Sequence, residues 1–161
     1  MSFNYSHDFS KIDFRRNPEL YEVGIGEQGV LLVEPYKSEL LPLWKFKTPE
    51  IAEKSAKAIL KRFRGYLREN DFAGMDTARK YLQMGYTRSR RYANHRSGRK
   101  YLGEVPKDKK GVSGSHGRPI LKLDPDPQKA ESAEIFYRAW QKVESNRKYR
   151  ELRSEWKLWY G

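Results

Sequence analysis

Residues 85–101 carry the side chains best suited to chemistry on a phosphate-containing ligand. Their arginines offer paired N–H donors that match phosphate oxygens, and the planar guanidinium groups also stack on nucleobases. Three tyrosines stand among these arginines, and tyrosine rings are platforms on which bases stack. Asn94 and His95 add donors and acceptors that can read a base edge or a ribose hydroxyl. The mixture favours nucleic-acid binding over a phosphorylated small molecule, an acidic patch on a protein, or a purely structural role.

The positive charge of the 161-residue chain is concentrated in the same region. The chain has 33 Lys and Arg against 21 Asp and Glu, a formal charge of +12, and residues 79–110 hold +9 of it, with eleven cations and two acids. A local field of one sign usually faces a polyanion. We therefore predict that residues 79–118 form a surface that grips the phosphates of DNA or RNA with little sequence specificity. The residues predicted to form it are Arg79, Lys80, Tyr86, Arg88, Arg90, Arg91, Tyr92, Asn94, His95, Arg96, Arg99, Lys100, Tyr101, Lys107, Lys109, Lys110, His116 and Arg118.

Two other functions could use the same surface. A metal-independent nuclease, or another phosphate-directed enzyme, needs a general acid, a general base and cations that stabilise the transition state. His95 and His116 are the weak candidates for the acid and base, because the ordinary pKa of histidine lies near neutrality. The sequence shows no paired acid and base, so binding without catalysis is the favoured prediction. The third hypothesis is an accessory protein whose basic face docks an acidic protein partner.

The segment GIGEQG at residues 24–29 matches the dinucleotide-binding pattern G-x-G-x-x-G. That pattern requires a helix to begin at the glycines, whereas a strand-like VLLV run at residues 30–33 follows here. A hairpin turn that needs positive φ angles explains the glycines better. With no cysteine and three dispersed histidines, the sequence predicts neither a metal site nor a cofactor.

The pattern of the remaining residues predicts an α+β fold, with a small antiparallel sheet of about three strands packed against about four helices. Residues 1–20 are expected to form an irregular arm. Apolar residues at 21–23 and 30–33 flank the glycine-rich turn and predict a hairpin of two strands, and alternation predicts a third strand at residues 43–47. We expect a single domain over residues 1–161.

The first helix is expected from Thr48 to about Glu69, because Thr-Pro-Glu is a strong helix start and apolar residues recur every four positions after it. A second helix is expected to end at Gly85, with a further turn or helix from Thr87. Two more helices follow Asp126, and residues 97–123 form a long glycine-rich basic loop that we expect to be functional. The aromatic residues expected in the core are Trp44, Phe63, Trp140 and Trp156.

The composition restricts the class of protein further. Charged residues make up 34% of the chain, but aromatic residues make up 14%, which argues against disorder. No apolar run is long enough to span a membrane, and the first residues lack the basic head and apolar block of a secretory signal. We therefore expect a soluble, cytoplasmic protein that does not associate with membranes.

Four runs resemble the domain-of-unknown-function family numbered 4385, a family of small proteins from cellular organisms and tailed phages. These runs are GEQGVLLVEPYKSE at residues 26–39, WKFKTP at 44–49, MGYTRSRRYANH at 84–95 and SHGRP at 115–119. The resemblance implies a complete single-domain protein. It implies no activity and no catalytic residue, so the functional predictions rest on the residues themselves.

Overall fold

The structure, a computed structural model, describes residues 3–112 and 114–160. Within these residues the chain forms α-helices, short 3-10 helices and irregular segments, without a single β-strand. The α-helices are α1 (Tyr36–Leu40), α2 (Pro49–Arg68), α3 (Phe72–Asn94), α4 (Pro127–Glu144) and α5 (Arg147–Tyr160). The predicted α+β class is therefore wrong. No helix of the described residues is long and apolar enough to cross a membrane.

The expected hairpin of residues 21–33 is replaced by consecutive turns that pack on α3. The amide of Val30 donates to the carbonyl of Glu27 (3.2 Å), and that of Leu32 donates to the carbonyl of Gly29 (3.0 Å). These local bonds occupy backbone groups that a strand ladder would need. The glycines of this segment do adopt positive φ, as predicted; Gly29, for example, has φ of +77°.

The prediction of a third strand at residues 43–47 is also wrong. Leu41–Leu43 forms a 3-10 helix, and the chain then runs extended along α2 instead of beside another strand. The hydroxyl of Ser55 on α2 donates to the carbonyl of Leu43 (2.7 Å) and accepts from the amide of Lys45 (3.0 Å). The buried Ser55 thus provides hydrogen-bond partners for backbone groups that were predicted to pair with a neighbouring strand.

The two helix starts predicted from capping residues are confirmed. The side chain of Thr48 accepts from the amide of Ile51 (3.2 Å) at the start of α2. Asp126 accepts from the amide of Gln128 (3.1 Å) at the start of α4. These bonds satisfy amides that have no partner within the helix.

The predicted helix end at Gly85 is wrong, because α3 continues to Asn94 and absorbs the turn expected from Thr87. Helices α3 and α4 pack antiparallel: the amide of Asp126 donates to the carbonyl of Ala93 (2.7 Å), while the Phe136 ring lies against Gly85. Gly85 therefore serves close packing between two helices and not the end of one.

Gly85→Ala is expected to destabilise the protein although alanine is the better helix former. A Cβ at this position would overlap the Phe136 ring, where it would lie 2.6 Å from Cγ. Such overpacking costs about 1–3 kcal/mol, more than the gain of about 0.8–1 kcal/mol in helix propensity. Gly65→Ala on α2 is the control, since its Cβ would meet only Nη2 of Arg68 at 3.8 Å. Thermal melts should show a lower Tm for Gly85→Ala and an equal or higher Tm for Gly65→Ala, and the reverse order would contradict the packing described.

A buried charge network joins α3 to the N-terminal turns and to α5. The Asp76 carboxylate accepts a bond of 2.8 Å from Nη2 of Arg79 and lies 3.8 Å from Nζ of Lys80. The hydroxyls of Tyr21 and Tyr149 also donate to it. The two cations, in turn, donate to backbone carbonyls of the glycine-rich turn.

Arg79 and Lys80 were predicted to lie on the basic surface, but they are 4% and 0% exposed. Their charges are matched by Asp76 and by backbone oxygens, which is the condition for keeping cations in an interior. Burial lowers the pKa of Lys80. Burial alone would raise the pKa of Asp76, but the neighbouring Arg79 and Lys80 hold it below its ordinary value.

The expected core residues divide into two groups. Phe63 is fully buried in the core, whereas Trp44, Trp140 and Trp156 are partly buried and pack against its edge.

Candidate nucleic-acid interface

The C-terminal half of α3 presents a polar face to solvent, which we call the α3 basic face. Its residues are Tyr86, Thr87, Arg88, Arg90, Arg91 and Asn94. Tyr86, Arg90 and Asn94 follow one another at four-residue spacing and so lie in one row along the helix. Nη2 of Arg90 donates to Oδ1 of Asn94 (3.1 Å) within that row. Ser89 and Ala93 are buried on the opposite side, so the position of each residue around the helix decides its exposure.

Most of the cations of residues 79–110 form no ion pair with a carboxylate of residues 3–112 or 114–160. Arg79 and Lys80 pair with Asp76, and Arg96 lies 3.2 Å from Asp124. Among the described residues the other eight form no ion pair, and these are Arg88, Arg90, Arg91, Arg99, Lys100, Lys107, Lys109 and Lys110. These eight cations give α3 and the segment that follows it a positively charged surface.

One acid, Glu27, stands at the edge of the α3 basic face. The hydroxyl of Thr87 donates to its Oε2 (3.0 Å). Burial raises the pKa of Glu27, against the opposing effects of the Thr87 hydrogen bond and the nearby Arg88.

The segment between α3 and α4, which we call the basic loop (residues 95–126), leaves and returns at one place. The amide of Asp124 donates to the carbonyl of Asn94 (2.6 Å), and that of Leu121 donates to the carbonyl of Lys100 (2.8 Å). Isolated bridges join His95 to Asp124 and Tyr101 to Ile120. The loop therefore forms an arm with a paired neck and a tip, and the exposed Lys107, Lys109 and Lys110 belong to the tip.

Arg118 organises the tip of the basic loop. Its guanidinium donates to the carbonyls of Ser115 (2.8 Å), Gly103 (3.3 Å) and Gly114 (3.2 Å), and it lies 5.0 Å from the centroid of the Tyr101 ring. Arg118 and Tyr101 were predicted to contact nucleic acid, and the structure gives both a role in holding the loop together.

The structure does not bring the two candidate histidines together. His95 is 5% exposed at the neck, where its Nδ1 lies 3.0 Å from the carbonyl oxygen of Lys122. His116 lies at the tip, beyond the Tyr101–Ile120 bridge, with its Nε2 2.9 Å from the carbonyl oxygen of Val112. Each imidazole is bonded to backbone within the loop, so the pair is not arranged as a general acid and base on one substrate.

Tyr92 also has a packing role instead of an exposed position. Its ring lies 5.7 Å from that of Phe46, and Nζ of Lys129 sits 5.6 Å from its centroid. Of the three tyrosines in residues 85–101, only Tyr86 therefore belongs to the α3 basic face.

The sequence analysis missed a group of three aromatic rings at the surface between α3 and α4. Tyr86 lies 5.3 Å from Tyr137 and 5.9 Å from Trp140, and the last two are 6.0 Å apart, measured between ring centroids. We call these three residues the aromatic cluster. The spacing of Tyr137 and Trp140, three positions apart on a predicted helix, was the available signal, but Trp140 had been attributed to the core.

Within the described residues, no three His, Cys, Asp or Glu side chains come together as a possible metal site.

These features define a helical protein with one cationic face and a cationic arm. The chain matches the model of the family described as Domain of unknown function (DUF4385) over residues 4–158 and belongs to that family, which confirms the resemblance seen in the sequence. No curated protein and no solved structure matches the chain.

Proposed function

We propose that this protein binds nucleic acid by gripping phosphates with the α3 basic face and the basic loop. The observation that carries the proposal is the set of eight cations without an ion pair among the described residues, which follow one another along residues 88–110. A surface of this kind costs self-repulsion in the free protein, and a polyanion relieves that repulsion.

The expected recognition is directed at the nucleic-acid backbone. Arginine and lysine contacts to phosphates set the position and orientation of a protein on nucleic acid but carry no sequence information. Within the part of the chain that the structure describes, the eight cations form no ion pair with a carboxylate, so binding a phosphate breaks no ion pair there. Of the alternatives, a nuclease is not proposed, because His95 lies at the neck of the basic loop and His116 at its tip.

The proposal is tested by the salt dependence of binding. For about four to six phosphate contacts, a plot of log K against log salt should have a slope of about −3 to −5. Arg88→Ala, Arg90→Ala and Arg91→Ala combined should make this slope less negative by about two to three. Fluorescence anisotropy with labelled DNA and RNA measures both.

The matched control removes three exposed cations from α2, as Lys54→Ala, Lys61→Ala and Arg64→Ala. It changes the net charge equally and should leave the slope nearly unaltered. Equal effects of the two triple variants would contradict a defined surface, and no binding to any probe at low salt would contradict the function. Polyglutamate that competes as well as nucleic acid would favour an acidic protein partner.

A further inference from the structure

We infer that the protein prefers single-stranded nucleic acid, whose unpaired bases stack on the aromatic cluster of Tyr86, Tyr137 and Trp140. This inference rests on the proposed function, because the phosphate contacts of the α3 basic face would bring the strand to the rings. It adds the class of nucleic acid and a second kind of contact.

The rings of the aromatic cluster are held in place before any ligand arrives. Tyr86 and Trp140 are half-buried against the core, so their positions are set by packing. The indole N–H of Trp140 donates to Oε1 of Glu144 (3.0 Å), which fixes the orientation of that ring. Tyr137 is 40% exposed and lies at the outer edge. Because these rings are already ordered, binding a base costs little conformational entropy of the side chains.

The aromatic cluster adjoins the α3 basic face, because Tyr86 belongs to both and begins the row of Tyr86, Arg90 and Asn94. Arg90 follows Tyr86 by one helical turn, and Asn94 follows Arg90 by another. The distance along the helix from Tyr86 to Asn94 is ~12 Å at the rise of an α-helix. The row ends at the neck of the basic loop, where the carbonyl of Asn94 accepts from the amide of Asp124. One strand can therefore place a base on the rings while its backbone runs along the arginines towards the loop.

Two carboxylates of α4, close in sequence to Tyr137 and Trp140, are already paired with cations. Glu134 accepts from Nε of Arg138 (3.1 Å) on the exposed side of α4. Glu144, which holds Trp140, also accepts from Nη1 of Arg153 (2.7 Å). A negatively charged strand thus meets little net repulsion from these acids.

The chemistry of the site distinguishes single strands from duplexes. The bases of a duplex stack on one another and hide their faces, whereas unpaired bases can lie against aromatic side chains. Stacking on a protein ring strengthens binding by about 5-fold to 150-fold per base, and every base has a suitable face. The combination of rings and arginines therefore fits a single strand of any sequence.

The test compares three probes of equal length at one salt concentration: an oligothymidylate, an abasic strand with the same phosphates, and a duplex. The wild-type protein should bind oligothymidylate about 5-fold to 150-fold more tightly than the abasic strand, the factor that one stacked base provides. It should also bind oligothymidylate more tightly than the duplex. Tryptophan fluorescence should be quenched by the oligothymidylate and not by the abasic strand.

The variant Tyr86→Leu, Tyr137→Leu keeps apolar side chains at both positions and removes two rings. It should lose most of the preference for oligothymidylate and keep its affinity for the abasic strand. Tyr160→Leu is the matched control, since Tyr160 is 39% exposed and lies on α5, outside the aromatic cluster. That control should retain the full preference.

The outcomes separate this inference from the proposed function. Equal binding of the oligothymidylate and abasic strands by the wild-type protein, or tighter binding of the duplex, overturns the stacking inference and leaves phosphate binding standing. No binding to any of the three probes overturns both. Because the comparison among probes uses the wild-type protein, it remains decisive even where the double variant fails to fold.

Discussion

Replacing Asp76 with alanine is expected to lower the free energy of unfolding by about 3–5 kcal/mol, the usual cost of removing one partner from a buried ion pair. Arg79 and Lys80 would remain in the interior with no carboxylate, and both are almost completely buried. The hydroxyls of Tyr21 and Tyr149 would also lose the acceptor they share. Since the stability of a whole domain is only about 5–15 kcal/mol, this loss is a large fraction of the total, and the variant should unfold at a much lower urea concentration than the wild-type protein.

Urea unfolding followed by circular dichroism measures this effect. Asp108→Ala is the control, because Asp108 is exposed in the basic loop and forms no ion pair among the described residues. It should change the free energy of unfolding by less than about 0.5 kcal/mol. An Asp76→Ala protein as stable as wild type would show that the network contributes nothing to the fold.

Alkaline solution is expected to unfold the protein sharply above the ordinary tyrosine pKa of 10.0. Burial raises the pKa of five tyrosines, which are Tyr21, Tyr36, Tyr66, Tyr81 and Tyr149. In the unfolded chain these side chains lose their protons as the pH passes that value, whereas in the folded protein they keep them. Their contribution to stability is therefore complete below the unfolded pKa and is lost as the pH rises. Above the unfolded pKa, each tyrosine lowers the free energy of unfolding by up to about 1.4 kcal/mol per pH unit. The five together lower it by up to about 7 kcal/mol per pH unit.

The loss of helical circular dichroism should coincide with the rise in tyrosinate absorbance of the buried residues. Tyr81→Phe is an informative variant, because the buried Tyr81 hydroxyl has no hydrogen-bond partner in the described part of the chain. It should leave stability at neutral pH nearly unchanged and reduce the alkaline slope by about one fifth, one tyrosine of the five. Tyrosinate absorbance that rises fully while the helices remain intact would refute the linkage.

The parts of the fold that depend on neighbouring residues were predictable from the sequence. Thr48 and Asp126 cap helices with bonds that reach two or three residues, so their role is visible in a short window. The end of α3 was not predictable in this way. Gly85 has the usual appearance of a helix terminus, and only the packing of Phe136, far along the chain, shows that it lies mid-helix.

The prediction of a sheet was wrong for a different physical reason. Apolar residues at 21–23 and 30–33 indicated burial, and Tyr21, Val23, Val30 and Val33 are indeed buried. Burial does not determine where backbone groups find partners. Here turns and the cations of α3 provide those partners, and neither leaves a periodic pattern.

For the candidate interface, charge concentration identified the region but not which cations face solvent. Arg79 and Lys80 follow Asp76 by three and four positions, a spacing that can signal an ion pair. The same spacing occurs at the surface, as Glu134 and Arg138 show, so spacing alone does not predict burial. The aromatic cluster depends on contacts between α3 and α4, which only the folded chain reveals.

Because the neck of the basic loop is closed, the length of the loop is independent of the packing of the helices. Because the carbonyl of Asn94 and the amide of Asp124 are bonded at 2.6 Å, α3 can meet α4 in the same way whatever lies between them. Doubling the length of a flexible loop costs only about 0.6 kcal/mol in closure entropy. Insertions or deletions within this arm are therefore expected to change how far it extends from the helical body while the packing of α3 on α4 stays the same.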